Sequence, residues 1–149
     1  MATNNLLQRL PTPGETFTNV AESHRRTVET FIASNPIAVG QFVAFDTSKT
    51  EPAEMMIYVN PADSDSNNTY ICAGVALHAA AAGGRVEVVT SGIAEARVAS
   101  GLGANSLQVG GTAGEAIAYD PAGAGKMIAR SIDTGAGATP VTVFVYKTL

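Results

Sequence analysis

The sequence predicts an all-β protein, a small β-sandwich or β-barrel of short strands with an extended N-terminal arm. Short runs of alternating apolar residues recur along the chain, stretches rich in Gly, Asp, Asn and Pro separate them, and no segment sustains an apolar period of 3.6. Frequent short strands with such turns belong to sandwiches and barrels rather than to alternating α/β units. A length of 149 residues fits one domain with an appendage.

The arm is residues 1–20. Leu6, Leu7, Leu10, Phe17 and Val20 are sizeable apolar residues in a segment broken by Pro11 and Pro13, too short to make a core. Burial of five side chains does not offset the ordering of so long a segment. The arm therefore needs main-chain pairing along a sheet edge, or a partner. Residues 21–149 are the β-rich domain. Its first element is ambiguous: Glu22 and Arg26 stand four apart as in a helix, whereas Thr27, Val28, Thr30, Phe31 and Ile32 favour a strand. A strand through Ile32, ending before Pro36, is expected.

Eight further strands follow at Gln41–Asp46, Met55–Val59, Thr69–Leu77, Arg85–Val89, Ala94–Ala99, Glu115–Tyr119, Met127–Ile132 and Val141–Tyr146. The stretches DTSKTEPAE, NPADSDSNN, SGLGAN, GGTAG, DPAGAG and TGAGATP read as turns. HAAAAGG, from His78, is too short to persist as a helix before two glycines and reads as a turn between paired strands. Two internal echoes accompany this pattern. VGQFVAFD (Val39–Asp46) returns as AGEAIAYD (Ala113–Asp120), which predicts that Gly40 and Gly114 begin strands at equivalent turns and that Asp46 and Asp120 end them. VALHAAAAGGRVEVVTSG (Val75–Gly92) is echoed by IARSIDTGAGATPVTVFVYK (Ile128–Lys147).

Composition narrows function. The apolar share is 46%, much of it alanine, with no Trp and only five Phe and four Tyr, so the core is thin and oligomerisation or docking is expected to supply part of the burial. A net charge of -4 with nine scattered Lys and Arg argues against non-specific nucleic-acid binding. A single cysteine, Cys72 in the apolar run YICAGVAL, excludes an internal disulfide and reads as a buried structural thiol. The polar, proline-broken start has no signal-peptide pattern, and no apolar stretch reaches the roughly 20 residues of a membrane span. Synthesis in the cytosol, with retention there or release by lysis, and no membrane partner are expected.

Reactive constellations fail their spacing tests. GAGKM at Gly123 has Asp120 where a phosphate-binding loop needs glycine and Met127 where it needs Ser or Thr. DSDSNN at Asp63 has Asn68 and Gly74 where a calcium loop needs glycine and glutamate. Asn67-Asn68-Thr69 spells a glycosylation acceptor without a secretion signal. His24, His78 and Cys72 are too few for zinc, and His78 has no acidic residue close in sequence to orient it for catalysis. The carboxylates Asp46, Glu51, Glu54, Glu87, Glu95, Glu115 and Asp120 lack the aromatic platforms of sugar hydrolases. No cofactor, no metal and no catalytic residue is expected.

The order RRTVETFIASNPIAVGQFVAFDTSK, YICAGVALHAAAAGGRVEVVTSGIAEARV, AIAYDPAG and a closing VFVYK resembles the capsid decoration, or cement, proteins of tailed bacteriophages, over roughly residues 25–149. The resemblance implies a virion protein on the outer surface of the capsid that binds the major capsid protein, bridges its neighbouring subunits and self-associates, as a homotrimer in preference to a homodimer. Leu6, Leu7, Leu10 and Phe17 are then the candidate anchors on a neighbour or on the capsid, with Arg25 and Arg26 offered to capsid carboxylates. The alternative is a head-fibre or host-attachment domain that binds carbohydrate. It requires an exposed aromatic patch, whereas Phe42, Phe45, Tyr119 and Phe144 fall within alternating strands and are expected inside. A small hydrolase, needing convergent carboxylates, is the third reading.

Overall fold

A computed structural model describes residues 26–62, 72–98, 106–109, 114–118, 127–132 and 141–146. Within them the chain is almost entirely β: β1 (Arg26–Ala33), β2 (Phe42–Phe45), a single helical turn α1 (Pro52–Met55), β3 (Tyr58–Pro61), β4 (Cys72–Ala76), β5 (Arg85–Ala96), β6 (Ser106–Val109), β7 (Ala116–Ala118), β8 (Met127–Ser131) and β9 (Val141–Val145). The strands run β1-β3-β2-β4-β5-β9-β8-β6-β7, and β1 also pairs with β5, which closes the first five into a barrel. The expected all-β barrel is the observed fold.

Three elements differ from expectation. Thr90, Ser91 and Gly92 look like a turn but lie inside one continuous strand, because Gly92 pairs with Arg26 on one side and Val145 on the other. Met55 belongs to α1, where Pro52 supplies the preset φ of a first helical position, so β3 starts only at Tyr58. Ser106–Val109, a short alternating run set among glycines, is a strand flanked by β7 and β8. Between β4 and β5, HAAAAGG turns as expected, with Ala80 bridged to Ile37.

The fold is a tandem duplication. In the first unit the cyclic order is β1-β3-β2-β4-β5, with one parallel pair, Ala33 with Val59. The second unit starts within β5 and runs β5-β9-β8-β6-β7. It returns to the chain just past β5 through the parallel bridge Val98–Ala116. The registers coincide residue for residue. Val28–Val89 and Phe31–Val86 become Ile93–Phe144 and Ala96–Val141. Val43–Pro61 and Phe45–Val59 become Leu107–Ala118 and Val109–Ala116. Ala76–Val88 becomes Ser131–Val143. The bulge recurs too: after Val43–Gly74 the register skips Ala73 to Ala44–Cys72, and after Leu107–Ala129 it skips Ile128 to Gln108–Met127. The turn bond from Leu77 N–H to the Glu87 carbonyl, 2.9 Å, reappears from Ile132 to Thr142 at 2.9 Å. β5 therefore serves as last strand of one unit and first strand of the next.

This duplication confirms one sequence echo and corrects the other. The β4–β5 and β8–β9 hairpins are equivalent, as the second echo implies. VGQFVAFD and AGEAIAYD are not: β2 corresponds to β6, whereas β7 corresponds to β3. Their likeness is local. Gly40 and Gly114 have φ of +77° and +75°, and each stands two residues before a strand, so both sequences meet the same demand for a left-handed entry. Asp46 follows the last residue of β2; Asp120 lies outside the described residues.

Two apolar clusters fill the fold. Phe31, Ala33, Val43, Val59, Ala73, Val86 and Val88 belong to the interior of the first barrel. The larger cluster joins Ala96, Val98, Ala116, Ile128, Val141 and Val143 of the second unit to Phe42, Ala44, Cys72, Val75 and Val89, which alternate onto the outer face of the first. The two units thus share a core, built of Val and Ala as the composition requires.

Candidate functional site

The first barrel has an open mouth. A pocket of about 390 Å³ is lined by Glu29, Phe31, Phe45, Asp46, Thr47, Met55 and Met56. Phe31 and Phe45 meet edge to face at its base, centroids 5.6 Å apart. The turn of α1 raises the rim, leaving Met56 74% exposed, with Ile57 exposed beside it. Lys49 lies over the Tyr58 ring, 4.3 Å from its centroid.

Asp46 fixes the ends of three strands at this mouth. Its buried carboxylate accepts the Ser34 hydroxyl at 2.6 Å, the Ser48 hydroxyl at 2.6 Å and the Ser48 N–H at 3.0 Å. Its own N–H donates to the Tyr58 carbonyl at 2.9 Å, and the Ser34 N–H donates to Val59 at 2.8 Å. Burial raises its pKa, but the bonds from Ser34 and Ser48 and the Lys49 charge outweigh burial and hold the carboxyl below its ordinary value. Asp46 begins a turn, as expected, with the Lys49 N–H donating to its carbonyl at 3.3 Å, and it also ties β1, β2 and β3 together.

A second surface lies on β8 and β9. Arg130, Ile132 and Phe144 are exposed there, Arg130 pairs with Phe144 across the strands, and Phe144 meets Tyr146 at 5.9 Å between centroids. Phe42 is inside as expected, but Phe144 is not: β9 is an alternating strand, and among the described residues nothing covers Phe144 on its outer face. Aromatic and Arg side chains are the usual anchors of protein interfaces.

The other sequence candidates fall as follows. Leu6, Leu7, Leu10, Phe17 and Arg25 lie outside the described residues, as do the calcium-like and phosphate-loop-like segments Asp63–Asn68 and Gly123–Lys126. Arg26 opens β1 opposite Gly92. Cys72 is buried, its thiol pushed up to about 12 by desolvation. His78 does find an acid through the fold: Glu87, whose carboxylate is 3.7 Å from Nε2 and whose N–H donates to Nε2 at 3.2 Å. His78 Nδ1 lies 3.2 Å from the Ala79 carbonyl, so the imidazole braces the turn joining β4 to β5. Among the described residues no three His, Cys, Asp or Glu side chains are placed to share a metal ion, and no helix is long and apolar enough to cross a membrane.

No protein-family model matches the chain, and no curated protein matches it. The fold itself is a class with solved relatives, a β-barrel architecture found in structures from phage heads. One is the N base of the head fibre gp8.5 of bacteriophage phi29, at a TM-score of 0.59 and 14% identity, covering 82% of this chain and 95% of that one. Another is a chain of the capsid of Myoviridae phage XM1, at a TM-score of 0.59 and 20% identity, covering 100% of both chains.

Proposed function

We propose that this chain is a non-enzymatic structural protein of a phage head, a decoration protein that sits on the outer capsid surface and bridges neighbouring major capsid subunits. The observation that carries the reading is the match of the fold to a capsid chain over the whole of both chains and to a head-fibre base over 82% of this one. Contacts of modest affinity suffice in this reading, because engagement of two or three subunits raises the effective affinity. The arm, with Leu6, Leu7, Leu10 and Phe17, supplies a further contact in this reading.

Co-sedimentation with purified undecorated heads tests it. Saturable binding is expected, and deletion of residues 1–20 is expected to lower occupancy at least tenfold. Absence of binding by the full chain rejects the decoration role; undiminished binding by the deletion rejects only the arm.

A second reading is favoured by the exposed Phe144–Tyr146 pair and the likeness to a head-fibre base: the chain is the capsid-bound base of a fibre or a host-attachment domain. It predicts binding to host polysaccharide that Phe144→Ala abolishes.

A further inference from the structure

The duplication shows how one copy of this barrel packs on another, and it leaves both halves of that contact free at opposite ends of the chain. At the mouth of the first barrel stands Glu29; its register counterpart in the second unit is Ala94, since Glu29 pairs with Val88 as Ala94 pairs with Val143. Ala94 is only 4% exposed and shares a buried cluster with Phe42, Val75 and Val89 from the outer face of the first barrel. Ile57, on the first rim, corresponds to Gly114, and a Cβ at Gly114 would come within 2.8 Å of Gln41 Cβ. The outer face of β2 and β4 therefore covers the mouth end of the second unit.

The covering face has its own counterpart in the second unit. Val75 corresponds to Arg130, Leu77 to Ile132 and Val89 to Phe144. The three residues of the first unit pack with the shared core; those of the second are exposed. Four of the six large hydrophobics exposed among the described residues fall on these two unused halves: Met56 and Ile57 at the open mouth, Ile132 and Phe144 on the uncovered face. Charge agrees with the pairing. Inside the chain the matched positions Ala94 and Val75 are both apolar; at the free ends they are Glu29 and Arg130, of opposite sign.

We propose that a second copy of this chain docks head to tail, placing the Arg130, Ile132 and Phe144 face of one copy over the Glu29, Phe31 and Met56 mouth of the next. The contact uses the same two kinds of face as the internal one, without the shared strand that joins the units inside the chain, so its two sides differ and every copy offers one of each. It is independent of the capsid reading, because self-association is measured on the isolated protein.

Sedimentation velocity over a range of concentrations tests the proposal. The wild-type chain is expected to associate with rising concentration. Phe144→Glu and Met56→Glu, both at exposed positions, are each expected to sediment as monomers while keeping the wild-type circular dichroism spectrum. Mixed, they are expected to form a one-to-one dimer through the single intact pair of faces, which a contact between two identical faces cannot do. Glu29→Arg and Arg130→Glu are each expected to weaken association at least tenfold, and the double variant to recover it, which keeps the test open should a glutamate variant misfold. A wild-type chain that stays monomeric at all concentrations, or a mixture of the two variants that stays monomeric, overturns the proposal.

Discussion

Val89 and Phe144 hold the same place in two copies of one unit, Val89 opposite Val28 and Phe144 opposite Ile93, yet Val89 is 0% exposed and Phe144 is 41% exposed. The difference lies in what covers them. The second unit packs over Val89; no described part of the chain packs over Phe144. Equivalent backbone sites have thus diverged into a core residue and a surface anchor.

Truncation of the two side chains should therefore give opposite outcomes. Val89→Ala removes two buried methyl groups and leaves a cavity, at a cost of roughly 2 to 3 kcal/mol. Phe144→Ala, at a half-open site, should cost less than about 1 kcal/mol in the monomer. Urea denaturation followed by circular dichroism at low protein concentration compares them, and equal losses would mean that Phe144 is a core residue after all.

The glycine pair offers a second contrast. Gly40 and Gly114 have nearly the same positive φ, so alanine carries a similar backbone strain at each, on the order of 1 kcal/mol. Their surroundings differ. A Cβ at Gly40 would lie 3.3 Å from the Glu95 carbonyl oxygen, a tight but adjustable approach, whereas at Gly114 it would lie 2.8 Å from both the Phe42 carbonyl and Gln41 Cβ. Gly114→Ala must push the two units apart. Its melting temperature should fall clearly further than that of Gly40→Ala.

The sequence made the barrel class legible because alternating Val, Ile and Ala runs survive in both units, as in RVEVV and VTVFV. It also revealed the duplication, but in one of two competing registers. Hairpins β4–β5 and β8–β9 kept their echo because both pair in the same register and carry the same bulge in the first strand. VGQFVAFD and AGEAIAYD are alike because a left-handed glycine before a short strand constrains sequence wherever it occurs. The shared strand β5 was hidden by Thr90, Ser91 and Gly92, whose turn-like composition is overruled by neighbours on both edges. Phe144 was hidden for a related reason. Alternation tells which residues share a face, and only the assembled fold tells which face is covered.

Asp46 makes stability depend on acid. Its carboxyl has a pKa below the unfolded value of 3.8, so the charged form is favoured by folding. That contribution is complete above about pH 5 and is lost as pH falls through 4 and below. Asp46→Asn removes the charge that accepts two serine hydroxyls and should cost about 1.5 to 3 kcal/mol at neutral pH. The loss should shrink as pH falls below 3.8, because the unfolded wild-type chain then gains a proton that the folded carboxyl resists. Thermal melts of both proteins from pH 3 to 7 check the convergence, and a constant difference would show that Asp46 acts by shape and not by charge.

At the alkaline end Cys72 makes stability depend on pH in the opposite sense. Desolvation between the two units pushes its thiol from the ordinary 9.0 up to about 12, so the folded protein holds a proton that the unfolded chain releases. Stability is unaffected below about pH 9 and then declines by up to about 1.4 kcal/mol per pH unit until the folded thiol itself ionises. Cys72→Ala removes that slope and substitutes a cavity cost that does not vary with pH. The same burial makes the thiol inert in the native state. Reaction with a maleimide at pH 8 should therefore follow opening of the interface between units, with a rate that rises steeply in urea. Val89→Ala, which loosens that interface, should accelerate labelling, while Phe144→Ala should leave it unchanged. Rapid labelling of the native wild-type chain would place Cys72 outside the shared core.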